Sequence, residues 1–169
     1  MTTAELIIGL INPKSPSNVG AVLRAAGCFG VTSISYSGNR LNRALPFNTD
    51  TKDNAVNIPL IHQHSVLDHL PENTKLICVE LAEGALPLPS YSHPVNAYYV
   101  FGPEDGSISQ AIVDKADDVV YVPTQGCLNL AATVNIVLYD RLAKAGIAFN
   151  DELIIHSRDT NNKLKVGTK

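Results

Sequence analysis

Leu6-Ile7-Ile8-Gly9-Leu10-Ile11-Asn12-Pro13-Lys14-Ser15-Pro16-Ser17-Asn18-Val19-Gly20-Ala21-Val22-Leu23-Arg24 joins an apolar run, a proline-bounded polar loop and the start of an amphipathic helix. The run from Glu5 to Ile11 has no polar alternation, the pattern of a strand buried on both faces, and Asn12-Pro13 stops it. Asn18 stands at an N-cap position ahead of a helix expected from Val19 to about Phe29. Val19, Val22, Leu23 and Ala26 form its buried stripe. Strand, loop and helix in that order are the first unit of an α/β sheet.

The same alternation continues outward. Further strands are expected at Thr32–Ser37, Asn57–Ile61, Lys75–Leu81, Ala97–Phe101 and Asp118–Val122. Short helices are expected near Ser65–Leu70 and from Ser107, where Gln110 three residues on completes a capping box. The longest helix is expected from Asn129 to about Ala145, with Leu130, Ala131, Val134, Val137, Leu138 and Leu142 at helical spacing and Gly146 after it. Gly38–Asn57 reads as a long irregular or partly helical excursion. The last twenty residues lack a clear period; a short strand at Leu153–His156 and a loose tail are expected. Several strands are apolar on both faces, so the fold class is α/β, a mostly parallel sheet with helices on both faces.

The 169 residues suit one domain, and 45% hydrophobic against 17% charged residues place the chain among folded proteins rather than disordered ones. Apolar runs are too short to span a bilayer, and no basic stretch precedes the first of them as in a secretory signal. Three cysteines, Cys28, Cys78 and Cys127, fit neither a disulfide framework nor a zinc ribbon. The expectation is a cytoplasmic domain, without membrane association or metal. The net charge of −3 excludes a broad cationic surface of the kind that coats DNA. It is unevenly spread: from Leu6 to Thr49 there is no acidic residue, while Lys14, Arg24, Arg40 and Arg43 are basic, and Arg158, Lys163, Lys165 and Lys169 make the tail basic again. Such a locally basic region holds a few phosphates, and it reads equally as solvated charge.

Ligands of open α/β sheets bind beyond the carboxyl ends of the strands, and three strand-to-helix junctions carry unusual residues there. In the first, Gly20, Arg24 and Gly27 fall on one helix face, so the guanidinium is bordered by positions without side chains. Two helical glycines cost about 1 kcal/mol each relative to alanine. Close approach of a substrate explains that cost; tight packing with Arg24 in a surface ion pair explains it equally. The second is Gly102-Pro103-Glu104-Asp105-Gly106, with Glu104 near a helix N-terminus, where the dipole favours a carboxylate. The third is Val122-Pro123-Thr124-Gln125-Gly126-Cys127-Leu128-Asn129, leading into the long helix, whose free N–H groups are available to a ligand. Cys127 has no histidine near it in sequence to act as its base, and reads as a small hydrophobe. His62 and His64, with Asp68, match no metal-ligand spacing. Neither the dinucleotide fingerprint nor the Walker loop is present.

Taken in order, Asn18-x-Gly20-x-x-x-Arg24, Gly102-Pro103-Glu104-x-Gly106 and Val122-Pro123…Leu128-Asn129 resemble the three signature motifs of the SpoU-type RNA ribose 2′-O-methyltransferases, the TrmH family of the SPOUT superfamily. The resemblance covers about Leu6 to Ala145. It implies a C-terminal trefoil knot, S-adenosyl-L-methionine as cofactor, a tRNA or rRNA substrate and a homodimer. It further implies that residues 1–148 are the methyltransferase domain and 149–169 a C-terminal tail. Carried over by residue, Arg24 is catalytic with Asn18 and Glu104 beside it. Glu80, Leu81, Gly102, Val122, Cys127 and Leu128 are then the cofactor contacts. The chain departs from the family pattern at Cys127, where serine is usual, at Thr124, where methionine is usual, and in the spacer missing between Gly126 and Cys127. It also resembles the minimal members, which lack an added N-terminal RNA-binding domain. Gly38–Asp53 and the basic tail are the expected RNA contacts. Two alternatives stay open: a catalytically weak knotted protein that binds RNA or cofactor, and an unrelated small-molecule α/β enzyme, which would lack a nucleotide loop or a nucleophile–base pair.

Overall fold

A computed structural model describes residues 4–44, 58–68 and 70–167. In chain order the elements are β1 (Leu6–Ile11), α1 (Pro16–Phe29), β2 (Ser33–Ser37), α2 (Arg40–Ala44), β3 (Leu60–Gln63), β4 (Lys75–Val79), β5 (Leu86–Pro87), a 3₁₀ turn (Leu88–Ser90), β6 (Ala97–Phe101), α3 (Gln110–Val113), β7 (Asp118–Tyr121), α4 (Leu130–Lys144) and α5 (Asp151–Ser157). The seven strands form one parallel sheet in the order β3-β2-β1-β6-β4-β7-β5. From β1 the chain steps outward through β2 to β3, then returns to build the other half. The order therefore reverses between β1 and β6, and a crevice opens at the carboxyl ends of these two strands.

Strand pleating divides the core into two layers. Ile8, Leu10, Ile34, Ile77, Tyr99, Phe101 and Val120 face α1 and α4, which contribute Val19, Val22, Ala25, Ala26, Val134, Val137 and Leu138. Ile7, Leu76, Cys78, Tyr98 and Val100 face the opposite way, onto Val66, Ile108 and the half-buried Ile112 and Val113 of α3. Helices thus cover both faces, as the apolar strands require. A partly buried polar cluster fixes the far half of α4: the His93 ring bonds to the Tyr99 hydroxyl at 2.6 Å and to the Asp140 carboxylate at 2.8 Å. Lys144 donates to the same carboxylate and to the carbonyls of Leu88 and Tyr91.

Gly9 occupies the middle of β1 because the Tyr98 ring crosses over it. A Cβ there would stand 2.7 Å from Tyr98 Cε2 and 2.8 Å from its hydroxyl oxygen. That hydroxyl donates to the Val66 carbonyl at 2.7 Å and is held at 2.5 Å from Ser35 Oγ, both contacts buried, so the ring has nowhere to retreat. Gly9→Ala is expected to lower stability by about 1–3 kcal/mol through overpacking, read as an earlier urea midpoint at unchanged slope.

Several local expectations are corrected. Helix α1 starts at Pro16, not Val19, and its cap is Ser15, whose Oγ accepts the Asn18 N–H at 3.3 Å. Proline is favoured at the first helical position, where its missing N–H costs nothing, and the Asn18 side chain is thereby released from capping. The expected capping box at Ser107 does not form. Ile108 is buried with its N–H bonded to Glu80, which keeps the chain extended until Ser109, and the Gln110 amide instead bonds Asp114 at 2.7 Å. Around Ser65 there are turns in place of a helix: Ser65 Oγ accepts from Leu67 N, and Asp68 accepts from Ser65 N. The strand expected at Leu153–His156 is part of α5, capped by Asn150, with Asp151 and Glu152 in its first turn and His156 in its last. Within the Gly38–Asn57 excursion Arg40–Ala44 is helical, and the remainder from residue 45 lies outside the described residues. The strand expected at Asn57–Ile61 runs instead from Leu60 to Gln63.

Candidate functional site

Three junctions converge at the switch point. After β1, the N–H groups of Lys14 and Ser15 point at the turn that follows β6, and both donate to Glu104, at 2.9 Å to Oε2 and 3.1 Å to Oε1. The Asn18 amide, one turn into α1, donates to Glu104 Oε1 at 3.0 Å. Its carbonyl oxygen accepts from Asn129 Nδ2 at 3.1 Å. Asn129 also caps α4, accepting from the N–H groups of Ala131 and Ala132. One chain of hydrogen bonds therefore runs Glu104–Asn18–Asn129 and ties the starts of α1 and α4 to the β6 turn.

The position of Glu104 gives it a depressed pKa. Partial burial alone would raise it; hydrogen bonds from Asn18, Lys14 and Ser15 outweigh that and hold it below the ordinary 4.5. A depressed carboxylate contributes stability that is present above its unfolded pKa and is lost as pH falls through the folded value. Glu104→Gln puts an amide donor against N–H donors, and on this exposed turn about 1 kcal/mol of destabilisation is expected at neutral pH. In thermal melts the gap between wild type and variant is expected to narrow as pH falls through the depressed folded-state pKa of Glu104, where the wild-type carboxyl becomes protonated as well.

Beside this network lies a cavity of about 160 Å³, lined on one side by Val79, Glu80 and Leu81, on another by Phe101 to Glu104 and Gly106, and on a third by Tyr121, Val122, Thr124 and Gly126 to Leu128, with Leu130 and Thr133 of α4. Pockets that enclose a whole drug-sized ligand run from roughly 300 to 1,000 Å³, so this one encloses part of a ligand and leaves the rest on its rim. Its walls combine apolar and polar surface in nearly equal parts, and two glutamates, Glu80 and Glu104, line it. Glu80 Oε1 accepts from Leu81 N and Oε2 from Ile108 N, both at 2.9 Å, and an ionised carboxylate retains further acceptor sites for a ligand hydroxyl. The third wall needs a glycine: Gly126 has φ +150°, and its carbonyl accepts from Thr124 Oγ1 at 2.6 Å.

The structure brings Glu80, Leu81, Gly102, Val122, Cys127 and Leu128 onto the wall of this single cavity, with Glu104. Asn18 touches the wall through Glu104. Arg24 is not among the lining residues; it is exposed on α1, on the face carrying Ser17, Ala21 and Cys28, and has no hydrogen-bond or ion-pair partner among the described residues. A Cβ added at neighbouring Gly20 would meet nothing within 4 Å, so the face beside Arg24 is bare. Among the described residues no histidine lines the cavity, and no three His, Cys, Asp or Glu side chains stand where they could hold a metal ion. Asn129 belongs to the third motif but is not among the expected catalytic or cofactor residues; its place ahead of a helix signals a cap, and nothing local signals its second bond.

The model of the SpoU rRNA methylase family matches residues 5–139. The chain belongs to this family. Among curated proteins, this SpoU family member is similar to the 23S rRNA (guanosine-2′-O-)-methyltransferase RlmB of Acinetobacter baylyi. The two are 24% identical over 144 residues, covering 80% of this chain and 58% of that protein. The chain thus spans somewhat over half the length of its curated relative. Among solved structures it is similar to the SpoU methyltransferase AviRb from Streptomyces viridochromogenes in complex with AdoMet, with a TM-score of 0.69, 18% identity, and coverage of 85% of this chain and 59% of that one. It is also similar to a structure described as giving insight into the 2-OH methylation of C/U34 on tRNA, with a TM-score of 0.67, 22% identity, and coverage of 85% and 92%. At these identities the likeness establishes the fold.

Proposed function

We propose that this SpoU family member is an S-adenosyl-L-methionine-dependent RNA methyltransferase acting on a ribose 2′-hydroxyl of tRNA or rRNA. One observation carries the reading: Gly102, Val122, Cys127 and Leu128, from the second and third motifs, line one cavity together with Glu80 and Leu81 at the end of another strand. The apolar part of the walls, Leu81, Phe101, Val122 and Leu128, suits a purine, and a carboxylate with spare acceptor sites suits ribose hydroxyls, so the residues fit an adenosyl group. The names of its relatives, an rRNA 2′-O-methyltransferase and a structure for 2-OH methylation on tRNA, support the substrate class.

When bound, S-adenosyl-L-methionine supplies an electrophilic methyl group on sulfur. The chain's own contribution is alignment. Glu80 and the Gly102 turn hold the donor, and the α1 surface presents the RNA. Arg24 is permanently protonated and is a poor general base. Its role is to grip a phosphate and stabilise the developing alkoxide, the hydroxyl proton leaving to water or a phosphate oxygen. Positioning of this kind supplies much of the acceleration in a displacement that needs little other chemistry.

The reading includes a homodimer. Arg24 lies off the cavity wall of its own chain, so a second copy is the source of a guanidinium over each cavity. The exposed Ile136, Tyr139, Ile147, Phe149, Leu153, Ile154 and Ile155 supply apolar surface for such a contact. It also includes the trefoil knot, a domain of residues 1–148 with a tail of 149–169, no metal requirement and a cytoplasmic location. No helix among the described residues is long and apolar enough to cross a membrane. The position of Arg24 favours one rival, a catalytically weak knotted RNA- or cofactor-binding protein. Mass-spectrometric mapping of ribose methylation in total RNA, from cells with and without the gene, separates the two. Loss of one 2′-O-methylnucleotide is the expected result, and an unchanged map contradicts the enzyme.

A further inference from the structure

Arg40 opens α2, beside the cavity but not on its wall. All three guanidinium nitrogens bond within the protein. Nε and one terminal nitrogen donate to the Asn12 carbonyl at 3.0 and 2.5 Å, and the other terminal nitrogen donates to both oxygens of Asp105 at 2.7 and 2.9 Å. Asn12 directly follows β1, and Asp105 sits between Glu104 and Gly106, both of which line the cavity. One side chain therefore joins the loops after β1, β2 and β6.

The turn it holds runs from Pro103 to Gly106. Its internal backbone bond, Gly106 N to the Pro103 carbonyl, is 3.3 Å long. Its two acids tie it outward: Glu104 to the start of α1, and Asp105 to Arg40 and, more loosely at 3.7 Å, to Lys14 Nζ. With one tie cut, the turn can pivot about the other, and the cavity rim moves with it. We infer that Arg40 is a positioning residue which, through Asp105, sets the cavity rim for binding S-adenosyl-L-methionine. This deepens the methyltransferase reading and rests on it. An exposed ion pair contributes little to global stability even with good geometry, so affinity and folding should separate.

The test is isothermal titration of the full chain with S-adenosyl-L-methionine, alongside thermal melts. Arg40→Ala and Asp105→Asn are each expected to weaken binding about tenfold while moving the melting temperature by less than about 2 °C. The double variant is expected to be no weaker than Asp105→Asn alone, because that substitution already cuts the Arg40 tie. Arg40→Lys, which keeps the charge and loses the fork, is expected between wild type and Arg40→Ala. Unchanged affinity in Arg40→Ala overturns the inference, including the case where only the KM for RNA rises, which would make Arg40 an RNA contact. Additive losses with a large fall in melting temperature overturn it too, in favour of a purely structural role. If the wild-type chain itself fails to bind, the methyltransferase reading falls, and the inference with it.

Discussion

Arg24→Lys is expected to slow methyl transfer by at least about a hundredfold, roughly 2.7 kcal/mol of transition-state stabilisation, with affinity for S-adenosyl-L-methionine kept within about twofold. The separation follows from where the residue lies. Arg24 is exposed, unpaired among the described residues and off the cavity wall, so replacing it disturbs neither the core nor the donor's walls. Lysine keeps the positive charge but loses the planar fork, and its compact ammonium is more strongly hydrated. If charge alone sufficed, the variant would retain most activity; the loss is expected because phosphate and alkoxide must be held together in fixed geometry. Single-turnover rates on the mapped RNA give the first quantity and titration the second.

Asn129→Asp is expected to reduce turnover by about tenfold or more while leaving the melting temperature within about 2 °C of wild type. Aspartate caps a helix as well as asparagine does, so the bonds from Ala131 and Ala132 to the side-chain oxygen survive. The donor to Asn18 does not. A carboxylate oxygen would then face the Asn18 carbonyl oxygen now 3.1 Å from the Asn129 amide, and Asn18 could satisfy it only by turning its own amide away from Glu104. The link from α4 through α1 to the β6 turn opens while the helix stays capped. Asn129→Ala is the contrasting control: it loses the cap too, and about 1 kcal/mol of stability with it.

The fold was legible where elements are long and their pattern unambiguous. β1, β6 and α4 fall within a residue or so of their expected limits because an apolar run or a sustained 3.6-residue period decides them locally. Short elements were misread wherever a distant partner decided the outcome. The chain stays extended at Ser107 because Glu80, 28 residues away, takes the Ile108 N–H. β5 is two residues ending in proline, recognisable as a strand only by its pairing with β7. At the site, the lining residues were legible because motifs at strand ends mark the edge where a parallel sheet binds ligands. The ties between motifs were not. Glu104 to Asn18 and Asn18 to Asn129 span 86 and 111 residues, and no local spacing encodes them. The same distance hid the pairing of Arg40 with Asp105, and it is why Asn18 reads as a cap in sequence and proves to be a bridge in the fold.

Crystals of the protein grown with S-adenosyl-L-methionine test the central claim most directly. The expected result is density for the donor between Glu80–Leu81, Gly102 and Val122–Leu128, with a ribose hydroxyl on the Glu80 carboxylate. Density for the donor at any other place on the chain, with this cleft left to solvent, contradicts the account.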